Sequence, residues 1–219
     1  MEALLNDIEA RIIGCLIEKE LTTPEYYPLS LNSLTNACNQ KSNRDPVMAL
    51  AEDDVDRALE SLRFKQLAVL SADGGRVRKH RHILAEKMGL VPAELAVICE
   101  LLVRGPQTVG ELRTRCERMH SFPDLGTVEA ELQELSERSR PLVIKLPRQT
   151  GRKEPRFAHL FSGEPDAGSI VLEGEPEAAR PRGMAEYGQI GRLEEEVAGL
   201  REEVAELRRI VHQFKAQFE

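Results

Sequence analysis

Apolar positions recur along this chain in two blocks that share one plan. The first opens at Glu9 with "EARIIGCLIEKELTT" and the second at Glu94 with "ELAVICELLVRGPQT". In register, Ile12 matches Val97, Leu16 matches Leu101 and Thr23 matches Thr108. Each opening run predicts a helix, and a second helix follows in each block, "LSLNSLTNACNQ" and "TVGELRTRCERM". A third follows as "AEDDVDRALESLRFKQ" and "LGTVEAELQELSER", where Val55, Leu59 and Leu62 parallel Val128, Leu132 and Leu135. That spacing gathers the apolar groups on one helical face. Each block then turns β-like. "LAVLSADGGRVRKHRHIL" has two β-rich runs around Asp-Gly-Gly, a hairpin signal, and "PLVIKLPRQTGRKEPRFAHLF" repeats the scheme with a longer basic tip. Three helices plus a hairpin is the order of a winged helix-turn-helix. The expected fold is mainly α with small β-hairpins (α+β), with tandem winged helix-turn-helix domains over residues 1–88 and 89–163.

After Phe161 the pattern breaks. Residues 164–188 are rich in Gly, Pro, Ala and Glu and read as a flexible linker. From Gln189 a heptad runs to the end, with Ile190, Val197, Val204 and Val211 at a and Leu193, Leu200, Leu207 and Phe214 at d. β-branched residues at a with Leu at d favour a parallel two-stranded coil. Glu196 and Glu203 at g face Arg201 and Arg208 at e′ in a parallel pair, whereas an antiparallel pair sets like charges together. The expected partner is therefore a second copy of this chain. The alternative is a helix packed back on its own domains.

Composition bounds the function. With 219 residues, 41% of them hydrophobic, the chain can bury a real core; 4% aromatics and no Trp leave that core to Leu, Ile, Val and Ala. The N-terminal run carries charges throughout, so no signal peptide is expected. No stretch approaches the roughly 18 apolar residues of a membrane span, and a cytoplasmic protein is expected. Cys15, Cys38, Cys99 and Cys116 lack CxxC-like spacing and read as reduced, buried thiols rather than a disulfide or zinc set. The net charge of −7 is concentrated in the tail: residues 1–88, 89–163 and 164–219 carry −2, +1 and −6.

No catalytic motif or cofactor fingerprint is present, and no enzyme is expected. His80 and His82 share a strand face, but their neighbours Arg78, Lys79 and Arg81 suit a solvated strand better than a metal site. Two features point to nucleic acid. In "GGRVRKHRH", Arg76, Arg78, His80 and His82 alternate onto one face, and the second hairpin offers Arg148, Arg152, Lys153 and Arg156. Basic ribbons suit phosphates, although charged hairpins also serve to prevent strand pairing. The run "TNACNQKSNRDPV" crowds amides and a guanidinium that suit base edges. Its expected main role is structural, ending the second helix before Asp45-Pro46 and fixing the third, with Lys41, Asn43 and Arg44 as candidate contacts. Against DNA stand the third helices, which begin "AEDDVD" and "DLGTVEAE" where a reading helix would meet phosphates. The first expectation is a homodimeric DNA-binding transcriptional regulator. The alternative is a winged-helix adaptor that binds protein and does not read DNA.

Residues 9–48, "EARIIGCLIEKELTTPEYYPLSLNSLTNACNQKSNRDPVM", closely resemble the signature of the YceH-like proteins, a bacterial family of unassigned function. The likeness continues through "LLVRGPQTVGELRTR", "GRKEPRFAHLFSG" and the C-terminal heptads. The resemblance implies a tandem winged-helix fold in a cytosolic bacterial protein. It implies no activity, substrate or catalytic residue.

Overall fold

The computed structural model describes residues 5–71, 77–148 and 154–165. The chain divides into two units, Met1–Val171 and Leu172–Glu219, and the described residues all lie in the first. The heptad positions Ile190 to Phe214 fall outside the described residues.

Helix α1 (Asp7–Thr22) is started by a reciprocal cap: the Asn6 side chain accepts the Glu9 N–H, and the Glu9 carboxylate accepts the Asn6 N–H. After a short 3-10 turn, strand β1 (Leu29–Ser30) leads into α2 (Leu31–Cys38), capped by the Ser30 hydroxyl. Helix α3 (Glu52–Phe64) begins with Glu52, Asp53 and Asp54, acids placed at the positive end of the helix dipole. Strands β2 (Ala68–Leu70) and β3 (Lys79–His82) follow, and α4 (Leu84–Met88) ends at Gly89, whose positive φ closes the turn. The second half repeats this with α5 (Pro92–Arg104), α6 (Val109–Cys116), α7 (Leu125–Glu137), β4 (Val143–Lys145) and β5 (Phe157–His159). Thr108 caps α6 and Asp124 caps α7. Among the described residues the protein is thus a mixed α+β fold of seven helices and small antiparallel sheets.

The halves match beyond helix order. In the first, β1 joins the far side of β3, giving the sheet order β1-β3-β2. In the second, Gln107 bridges Phe157 of β5 from the same place in the chain, just ahead of the second helix. A buried acid near the start of each first helix meets a base at the end of each third helix. Glu9 takes Lys65 at 2.6 Å, and Glu94 takes Arg138 at 2.7 Å. The sequence repeat had aligned Glu9 with Glu94 but gave no sign of their partners.

One core runs through both halves. Helices α1 and α5 pack along each other, and all of Glu9–Ile17 and Ala93–Val103 are buried. Gly14 permits the approach: a Cβ there would lie 2.6 Å from Val103 Cγ1 and 3.1 Å from Leu102 Cβ. The Cys99 thiol donates to the Gly14 carbonyl at 3.2 Å. All four cysteines are buried and free.

Buried titratable groups tie this core to pH. Burial alone would raise the Glu9 and Glu18 carboxyls, but hydrogen bonds and charge from Lys65 and Arg44 hold both below the ordinary range. Burial lowers His80, and it lowers His159 to about 4. For these histidines the unfolded chain takes up protons near pH 6.5 while the folded one does not. Stability present at neutral pH is therefore lost as pH falls. We expect unfolding free energy to drop between about pH 6.5 and 4, with His159 contributing on the order of 2–3 kcal/mol. Urea denaturation across that range, with His159→Asn flattening the slope, checks it.

Candidate functional site

The amide-rich segment after α2 is held from within. The Asn39 side chain accepts the Leu50 N–H and donates to the Leu50 carbonyl, both at 2.8 Å, closing the loop between α2 and α3. Arg11, buried in α1, donates to the carbonyls of Cys38 and Pro46. Arg44 lies beneath the loop with its side chain fully buried, donating to Ala37 O and Asn43 O and pairing with Glu18 at 2.5 Å. The Asp45 N–H donates to Val103 O, and Arg104 donates to the Asn43 side chain, so the loop also grips α5. Asn43 takes a left-handed backbone (φ 60), which a short polar side chain tolerates.

These contacts sort the loop's candidates. Lys41 and Asn43 are exposed. Arg44, expected at the loop's outer edge, turns inward, because a guanidinium satisfies a buried carboxylate and two free carbonyls at once. It is not placed to reach a partner.

The first hairpin requires a similar correction. The face carrying His80 and His82, expected to be a solvated basic face, points into the protein: His80 is 5% exposed and His82 3%. Strand β3 packs against α1, which covers one of its faces, and His82 meets Glu20 of that helix there. His82 Nε2 lies 2.6 Å from Glu20, its Nδ1 accepts the Leu84 N–H, and its own N–H donates to the Tyr27 hydroxyl. Arg78 and Lys79 are exposed on opposite faces. Arg76, Arg152 and Lys153 fall outside the described residues. Arg156 is held by the Pro106 carbonyl at 2.6 Å and by Glu111, while Arg148 is exposed.

Beside His80 the structure forms a groove that the sequence did not announce. About 440 Å³ in volume, it lies between α2, α3 and the first hairpin, with Asn32, Glu52, Asp56, Glu60, Arg63, Arg78 and His80 among its walls. Asn32 donates to Glu52 at 2.9 Å. Leu31, Leu59, Leu70 and Val77 supply apolar surface. Glu52, Asp56, Glu60 and Arg63 recur at helical spacing along α3, a signal visible in the sequence. The pairing of β3 with β1, which brings His80 beneath them, was not, because a two-residue strand leaves no pattern. No group of three or more metal-ligating side chains is assembled among the described residues, and no helix among them is long and apolar enough to cross a membrane.

Two like α+β halves joined by one core define the structural class. The chain belongs to the family described as "Protein of unknown function, DUF480", whose model matches residues 5–152. It is similar over its full length, and over theirs, to UPF0502 proteins of Geotalea uraniireducens (68% identical), Pelobacter propionicus (64%) and Geobacter sulfurreducens (63%). This is the uncharacterised bacterial family that the resemblance at residues 9–48 indicated.

Removing the Arg44 guanidinium strips the part-buried Glu18 of its nearest cation, leaving Lys19 at 3.5 Å, and leaves the Ala37 and Asn43 carbonyls without their donor. Arg44→Met is expected to cost about 3–5 kcal/mol of stability, whereas Lys41→Ala at the exposed edge stays within about 0.5 kcal/mol. Urea titrations of the two variants separate a structural arginine from a surface contact.

Proposed function

We propose that the two halves are winged helix-turn-helix modules of a non-enzymatic adaptor that docks protein partners on the outer faces of α3 and α7. The observation that carries this reading is the charge of those faces. Helix α3 exposes Glu52, Asp53, Asp56 and Glu60 against Arg57, which pairs with Asp54, and Arg63 in its last turn. Helix α7 exposes Glu129, Glu134 and Glu137 and contains no Lys or Arg. In a winged-helix protein that reads DNA, this helix enters the major groove between two rows of phosphates. Carboxylates placed there are repelled, and the same carboxylates attract a basic protein surface. The C-terminal heptads would join two chains in parallel, presenting both faces twice in a cytoplasmic homodimer.

A second reading, a homodimeric DNA-binding transcriptional regulator, is favoured by the exposed Lys41, Asn43, Arg78, Lys79 and Arg148, to whose charge Arg76, Arg152 and Lys153 would add. One experiment weighs the two. Cross-linking and affinity capture with the full chain should return a stoichiometric protein partner that is lost on Asp56→Arg/Glu60→Arg or Glu129→Arg/Glu134→Arg and kept on Arg76→Glu/Arg78→Glu. Duplex DNA binding at low salt that weakens steeply with added salt, is abolished by Arg76→Glu/Arg78→Glu and comes with no protein partner would overturn the adaptor reading.

A further inference from the structure

After β5 the chain passes between two grooves of opposite charge. The first, about 290 Å³ in volume, lies where the end of α3, α4, the approach to β4 and the exit from β5 meet. Phe64 is 92% exposed on its lip, and Met88, Pro141 and Phe161 add accessible apolar surface. Its ionisable lining is wholly cationic, formed by Lys65, Lys87 and Arg140. Lys65 is engaged by Glu9, whereas Lys87 is exposed and meets only the Lys65 carbonyl among the described residues. The second groove, about 240 Å³, is lined by the carboxylates of Asp7, Asp45 and Glu164, and the guanidinium of Arg11 in its wall already serves two carbonyls. Phe161 lines the first groove and residues 162–165 line the second. Between them the chain turns, with the Gly163 N–H donating to the Leu160 carbonyl at 3.1 Å and Gly163 at a positive φ of 95.

The sequence that follows matches the first groove and not the second. Ile170, Val171 and Leu172 form the one run of large aliphatic residues between Phe161 and Gln189, in a stretch otherwise rich in Gly, Pro, Ala and Glu. Residues 164–177 around this run carry five acids and no Lys or Arg. A solvated linker has no use for β-branched aliphatics, whereas apolar surface removed from water stabilises a contact. The first unit runs to Val171, so Ile170 and Val171 belong to the same unit as the groove.

We propose that residues 166–171 fold back onto the cationic groove of their own chain, Ile170 and Val171 covering Phe64, Met88 and Pro141 and Asp166 lying toward Lys87. The reach is ample, because eight residues separate Phe161 from Ile170 and an extended chain spans up to about 3.5 Å per residue. Tethering holds the segment at an effective concentration on the order of millimolar, so a few apolar contacts and one ion pair suffice to seat it. The second groove is closer along the chain, but its three carboxylates repel an acidic segment. The contact is independent of the adaptor reading and holds whatever the outer faces of α3 and α7 bind.

The chain contains no Trp, so Val171→Trp places a single indole in the segment of the full-length protein, and Ala179→Trp places one further along for comparison. Acrylamide should quench the indole at 171 several-fold less than the one at 179, and dilution should leave that difference unchanged, as a contact within one chain requires. Phe64→Ser and Lys87→Glu, each confirmed as folded by circular dichroism, should raise quenching at 171 by about two- to fivefold. Lys41→Glu, outside the groove, should not. With the native segment, the Met88 methyl resonance should shift on Ile170→Ser/Val171→Ser. Equal quenching at the two positions, no response to Phe64→Ser and Lys87→Glu, or a Met88 methyl that ignores Ile170→Ser/Val171→Ser would each overturn the proposal. Protection lost on dilution would overturn it as well, by seating the segment of a second copy in the groove.

Discussion

Helix α1 is buried on every side, and much of the described structure follows from that constraint. Nine consecutive residues, Glu9 to Ile17, are inaccessible to solvent, including an acid and an arginine. Buried charges persist only when paired or hydrogen-bonded, so each calls a distant segment to it. Glu9 brings the end of α3 through Lys65, and Arg11 brings the backbone of Cys38 and Pro46. Two turns further, Glu18 brings Arg44 and with it the loop. The helix has no side left for solvent because α5, equally buried, occupies the face opened by Gly14. The two halves are therefore parts of one packed body rather than beads on a string.

That arrangement separates scaffold from surface. The polar residues of the loop after α2, which look like recognition chemistry, mostly serve the interior: Asn39 fixes Leu50 and Arg44 neutralises Glu18. In the hairpins, His80, His82 and Arg156 are likewise turned to internal use. What remains outward on α3 and α7 is mainly carboxylate, so the proposed role follows from what the fold leaves exposed.

Helix order and the repeat were legible in the sequence because apolar periodicity marks the buried faces directly. Val55, Leu59 and Leu62, like Val128, Leu132 and Leu135, are all buried as the pattern required. The hairpin pairs β2–β3 and β4–β5 were legible from β-branched runs flanking turn residues. Side-chain direction in β3 was not. Polar residues are assigned outward by default, and only the packing of β3 against α1, with Glu20 and Tyr27 on His82, turns the His80 and His82 face inward. Arg44 was misplaced for a related reason, since its partner Glu18 lies 26 residues away in the chain. Long-range pairing of charges carries no local signature, and the same holds for Lys65 with Glu9 and Arg138 with Glu94.

Helices α1 and α5, packed along each other, fuse the halves into one cooperative body. Native-state hydrogen exchange under increasing urea measures this directly, residue by residue, on the full chain. The slowest amides of α1, α3, α5 and α7 should exchange through one common opening with a single free energy and urea dependence. If the amides of α5 and α7 open as a separate unit while those of α1 and α3 stay protected, or the reverse, the halves are independent and α1 and α5 do not fuse them.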